Sequence, residues 1–102
     1  IAYNEMRLIV DRFKDKKTIQ ELEVLVNKYC DNVMETLRAE VPQIHEEDYR
    51  QLCYHYAGFS GKLFSLLLEK SQSNVYLRKS RLKEKIIQIN PQNIDVILRY
   101  LS

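Results

Sequence analysis

The sequence predicts an all-α fold, with a helical linker or dimerisation segment over residues 1–42 and a three-to-four-helix domain over residues 43–102. Three observations predict it. Apolar residues recur every three or four positions along most of the chain. Only two glycines and two prolines occur in 102 residues, too few turn-formers for a sandwich or barrel. Good capping residues, Thr18, Ser60 and Ser71, stand directly ahead of apolar-periodic stretches. With 45% apolar residues the chain can bury a core, and its length allows one ordinary domain or a small domain with an extension.

The elements follow in order. Met6, Leu8, Ile9 and Phe13 predict a first helix over residues 3–16, interrupted at Lys14-Asp15-Lys16-Lys17. Thr18 with Glu21 three residues later forms a capping-box pattern. From there Ile19, Leu22, Leu25, Val26, Tyr29, Val33, Met34 and Leu37 predict one amphipathic helix of about 22 residues, ending before Pro42. Such a helix is expected to pack onto the domain that follows or to pair with a copy of itself.

His45-Glu46-Glu47-Asp48 opens the next helix, with acidic residues where the helix dipole favours them and an apolar face of Tyr49, Leu52, Cys53 and Tyr56. Gly58 fits the left-handed position that ends it. Ser60 then caps a short helix from Gly61 to about Glu69, with Leu63, Phe64, Leu67 and Leu68 inward. Lys70-Ser71 makes a tight turn into a third helix, about residues 72–88, with Val75, Leu82, Ile86 and Ile89 inward and the stem of Lys79 filling the gap. Past Asn90-Pro91, Ile94, Ile97, Leu98 and Leu101 predict a last short helix.

The net charge of +2 hides an asymmetry. Between residues 70 and 89, Lys70, Arg78, Lys79, Arg81, Lys83 and Lys85 face only Glu84. That concentration of positive charge suits a polyanionic partner, or serves only to keep an exposed helix soluble; composition alone does not choose between them. Chemistry is poorly provided for: there is no Gly-rich phosphate loop, nucleophile elbow or His-Glu-x-x-His pair, so no enzyme is expected, and no small-molecule substrate. Cys30 and Cys53 lie 23 residues apart without a paired motif and read as buried reduced thiols; His45 and His55 lack helical ligand spacing, so no metal and no cofactor is expected. No apolar run is long enough to span a bilayer and no leader is visible. Ile1 in place of Met is read as the start of a cytoplasmic piece of a longer protein, whose parent is free to carry a membrane anchor; this fragment itself is expected to make no membrane contact.

Three helices with a tight turn between the second and third form the helix-turn-helix layout. A major groove about 12 Å wide accepts one helix, which a second must brace across the backbone. With Val75, Leu82 and Ile86 inward, the third helix turns Ser73, Asn74, Tyr76, Leu77 and Ser80 toward base edges. Lys62, Lys70, Arg78, Lys79, Arg81 and Lys83 are the candidate phosphate contacts.

The segment Gly58-Phe59-Ser60-Gly61-Lys62-Leu63-Phe64-Ser65, continuing through Leu68, Ser71 and Val75 to Tyr76, resembles the LuxR-type helix-turn-helix, a relative of the sigma-factor promoter-reading domain. That pattern runs G-L-S-N-K-E-I-A-x-x-L-x-I-S-x-x-T-V-K, followed by a basic helix, and this chain aligns to it without a gap over about residues 46–89. Leu63-Phe64-Ser65 stands where the pattern has Glu-Ile-Ala, and Asn74 and Tyr76 stand where it has Thr and Lys. The resemblance implies sequence-specific binding of double-stranded DNA, as the output domain of a bacterial transcriptional regulator with sensor or tetratricopeptide repeats ahead of it. It further implies a homodimer on two half-sites, because one copy makes few contacts. The alternative is a degenerate helix-turn-helix used for protein–protein contact or dimerisation.

Overall fold

The computed structural model describes residues 8 and 10–101, and every regular element among them is helical. A helical stretch through residues 10–12 leads into α1 (Lys16–Tyr29), α2 (Val33–Glu40), α3 (Glu46–Tyr56), α4 (Gly61–Leu68), α5 (Gln72–Ile89) and α6 (Ile94–Arg99). The fold is all-α. None of these helices is long and apolar enough to cross a membrane.

Asp15, not Thr18, caps α1: its carboxylate accepts the Lys17 N–H at 3.0 Å, and Thr18 lies inside the helix. The single helix expected up to Pro42 is divided. Asp31 and Asn32 both adopt left-handed backbone, with φ of 54° and 56°. Aspartate and asparagine tolerate that conformation better than most residues. Asn27 holds both sides of the break. Its carbonyl accepts the Asn32 N–H at 2.9 Å, while its side-chain oxygen accepts the N–H groups of Met34 (2.9 Å) and Glu35 (3.0 Å), at the start of α2. An apolar stripe crosses a two-residue break without losing phase, so periodicity alone does not reveal it.

Redirecting the chain there changes which residues are buried. Val26, Cys30, Val33, Met34 and Leu37 enter the main core, whereas Leu25 and Tyr29, expected inward, are 51% and 71% exposed. The same core takes Leu52, Cys53 and Tyr56 from α3, Leu82 and Ile86 from α5, and Ile97 and Leu101 at the carboxyl end. It therefore joins residues on both sides of position 42, and α2 packs against α3 and α6.

Helix α3 serves a second core as well. Tyr54, which the expected apolar face omitted, points away from the first core and meets Phe64 of α4 and Val75 of α5. Its ring lies edge-on to Phe64 (5.8 Å between centroids) and stacks with Phe59 at 5.4 Å, and Phe13 closes the cluster edge-on to both Tyr54 and Phe59. Aromatic pairs in these arrangements add to simple burial. Helix α3 is thus a wedge between two cores, and the smaller core is what holds α4 and α5 together.

Candidate nucleic-acid interface

Local sequence sets the α4–turn–α5 geometry closely. Gly58 takes φ of +77° after α3, as expected for a left-handed helix end. Ser60 Oγ accepts the Leu63 N–H at 3.2 Å, and Ser71 Oγ accepts the Asn74 N–H at 3.2 Å, so each serine caps its helix. Between them Glu69 is left-handed (φ 54°), its N–H and that of Lys70 both reach the Ser65 carbonyl, and the Ser65 hydroxyl donates to the Lys70 carbonyl. This Schellman-type closure leaves only Glu69, Lys70 and Ser71 between the end of α4 and the start of α5. At Gly61 a Cβ would come within 2.9 Å of the Tyr76 hydroxyl and 3.1 Å of Gln72 Oε1, so the ends of these two α5 side chains rest against the bare backbone there.

Beneath the turn, Gln51 joins α3 to α5. The side chain is fully buried, and its Nε2 donates to the Val75 carbonyl at 3.1 Å and lies 3.3 Å from His55 Nε2. The His55 ring packs on Phe64 with centroids 4.2 Å apart. Burial, reinforced by the positive charge of Lys79, pulls the His55 pKa down to about 4, so the imidazole is neutral.

On α5 the face opposite Val75, Leu82 and Ile86 is open. Ser73, Asn74, Leu77, Ser80 and Arg81 are all exposed. No described residue takes up the N–H of Gln72 or Ser73, leaving donors at the helix start. Tyr76 is exposed too, but it leans onto the first turn of α4 rather than pointing straight outward. Glu84 is the first acidic side chain on α5, so the helix carries no negative charge over residues 72–83.

The six candidate phosphate cations divide into two groups. Lys62 and Arg81 are exposed, and Lys79 and Lys83 are half-buried at the edges; burial, then the charge of Lys83, lowers the Lys79 pKa. Arg78 and Lys70 are occupied. The Arg78 guanidinium lies 2.6 Å from Asp48 and 3.3 Å from Glu47, and Lys70 lies 3.7 Å from Glu47. Hydrogen bonding from Arg78, then its charge and that of Lys70, holds the Glu47 carboxyl below the ordinary range. The acidic first turn of α3 is therefore more than a dipole complement: it ties α3 to α5. Sequence reasoning missed this tie and the buried Gln51, because each spans 24 or more residues and neither leaves a local pattern.

Three exposed apolar side chains accompany these polar groups on α5: Tyr76 (54%), Leu77 (49%) and Ile87 (50%). Comparison with protein-family models, with curated proteins and with solved structures finds no match for this chain.

Proposed function

We propose that the chain binds double-stranded DNA sequence-specifically, as the output domain of a bacterial transcriptional regulator, with the first three turns of α5 in the major groove. The observation that carries this reading is the open polar face Ser73–Asn74–Leu77–Ser80–Arg81 on a helix braced by α4, each of the two helices starting on its own serine cap. Such a helix offers hydrogen-bonding groups to base edges near its start, where helix-turn-helix readers make their contacts. Lys62, Arg81, Lys79 and Lys83, which make no ion pair among the described residues, supply phosphate contacts. Arg78 and Lys70 join them only by leaving Glu47 and Asp48, so they act as a reserve. Asn74 hydrogen-bonds a base edge or phosphate, Leu77 meets a thymine methyl, and Tyr76 touches the backbone beside α4.

Two copies on two half-sites give the contact area that one copy lacks; helical repeat sets the half-sites about 34 Å apart, or a multiple of this. The test is selection of duplexes from a random pool at two salt concentrations, followed by titration of the enriched sequence. An enriched motif whose affinity falls steeply with salt supports the proposal. Recovery of no motif favours a second reading, a protein-contact module, for which the exposure of Tyr76, Leu77 and Ile87 is the specific support.

A further inference from the structure

Opposite the face of α1 that enters the core lies a second face that no other element among the described residues covers. Val24 and Leu25 are 67% and 51% exposed at its centre, with Glu21 one turn before and Lys28 one turn after. Lys17, Glu21 and Lys28 make no ion pair among the described residues. At 100° per residue, Glu21 and Lys28 lie within 20° of one another at the middle of this face. Val24 and Leu25 flank that line on either side.

This arrangement is self-complementary in one orientation only. A two-fold axis between Val24 and Leu25, with two copies of α1 antiparallel, sets Glu21 opposite Lys28 of the second copy and repeats the contact on the far side. Val24 then meets its own twin on one flank and Leu25 its twin on the other. Parallel copies would instead oppose Glu21 to Glu21 and Lys28 to Lys28. Closed two-fold contacts are the commonest form of self-association and demand such a patch.

We infer that α1 is a homodimer contact, two copies pairing antiparallel about a dyad between Val24 and Leu25. The patch is small beside the 1,200–2,000 Å² or so of a stable specific interface, so the pairing is weak in free solution. It becomes effective when another contact holds two copies together. Where that contact is DNA, the inference rests on the function proposed above, but self-association itself needs no DNA.

The experiment is sedimentation equilibrium of the purified chain at low salt, without DNA, on wild type, Glu21→Lys, Lys28→Glu and the double reversal. Both positions are exposed and outside any ion pair among the described residues, and Lys28 only rests its ammonium over the Tyr29 ring at 5.4 Å, so helical circular dichroism should be unchanged throughout. Each single reversal replaces two attractive pairs by two repulsive ones and should weaken the dimer roughly tenfold, given the usual strength of exposed pairs. The double reversal should restore wild-type association. A mixture of the two single variants should form heterodimers, because one then presents two lysines to the other's two glutamates. Val24→Asp separates the two proposals: it should abolish self-association while leaving affinity for one half-site unchanged. Single reversals that leave the dimer intact, or a double reversal that stays as weak as the singles, would overturn the antiparallel register. A wild-type chain that remains monomeric at high concentration would overturn the contact altogether.

Discussion

Two helices of this protein each leave one face uncovered, and the two faces differ in kind. The open face of α1 is centred on Val24 and Leu25 with one acid and one base in balance. The open face of α5 is centred on serines and Leu77, begins with unsatisfied N–H groups and is flanked by Lys79, Arg81 and Lys83. Each helix sends side chains into a core, Val26 from α1 and Val75, Leu82 and Ile86 from α5. What differs is the chemistry left outside. A charge-balanced apolar patch gains by meeting a surface like itself, whereas a polar face with net positive flanks gains by meeting a polyanion. The acidic start of α3 refines the contrast, since it holds Arg78 and Lys70 beside α5 but leaves Arg81 and Lys62 free.

The largest way to break the contrast is to remove the brace. Phe64 is buried to 1% exposure, and Phe64→Ala should destabilise the fold by about 3–5 kcal/mol, as large aromatic truncations in cores do. Urea denaturation reads the stability, and DNA binding should disappear with it. Next comes charge. Replacing Lys62 and Arg81 together by alanine should lower duplex affinity and reduce the slope of log K against log salt by about 2. Lys28→Ala, on the other face, should leave that slope unchanged. An equal effect from both would erase the distinction between the faces.

A gain is expected in the opposite direction. Glu47→Gln removes the carboxylate shared by Lys70 and Arg78 and should raise duplex affinity several-fold with a steeper salt slope, at a stability loss under about 1 kcal/mol. Fluorescence anisotropy across a salt series measures both quantities.

The pH dependence carries a definite sign. His55 has a folded-state pKa near 4, below its ordinary value, so the unfolded chain binds the proton more readily. Stability should fall as pH drops from about 6.5 toward 4. Equilibrium unfolding of the wild type and of His55→Gln across that window should show the slope reduced in the variant. The smallest effect concerns Glu69, left-handed at φ 54°: Glu69→Gly should relieve strain and stabilise the turn by about 1 kcal/mol or less, read as a small rise in melting temperature.

Much of this geometry was legible along the chain because it is locally written. Ser60, Ser71 and Gly58 announce helix boundaries through residues one to four positions away, and those boundaries agree with the structure to within a residue. The break at Asp31-Asn32 was not legible, since the apolar stripe keeps its phase across it and the device that holds it is one side chain, Asn27. Tyr54 was missed because a helix with two buried sides breaks the rule of one apolar stripe. On the candidate interface, the exposure of Ser73, Asn74, Leu77 and Ser80 followed from the helical wheel, whereas the capture of Arg78 by Asp48 depends on how α3 crosses α5. Helical phase tells which way a side chain points, and only tertiary packing tells what it meets.

The most direct test of the central claim is a two-dimensional NMR titration of the full chain with a duplex recovered by selection. The account predicts amide shift changes concentrated at the start of α4, the Glu69–Ser71 turn and residues 72–81 of α5. It also predicts that Glu21, Val24, Leu25 and Lys28 are unmoved by the contact of one copy with a single half-site. Changes centred on α1 with α5 unaffected would contradict it.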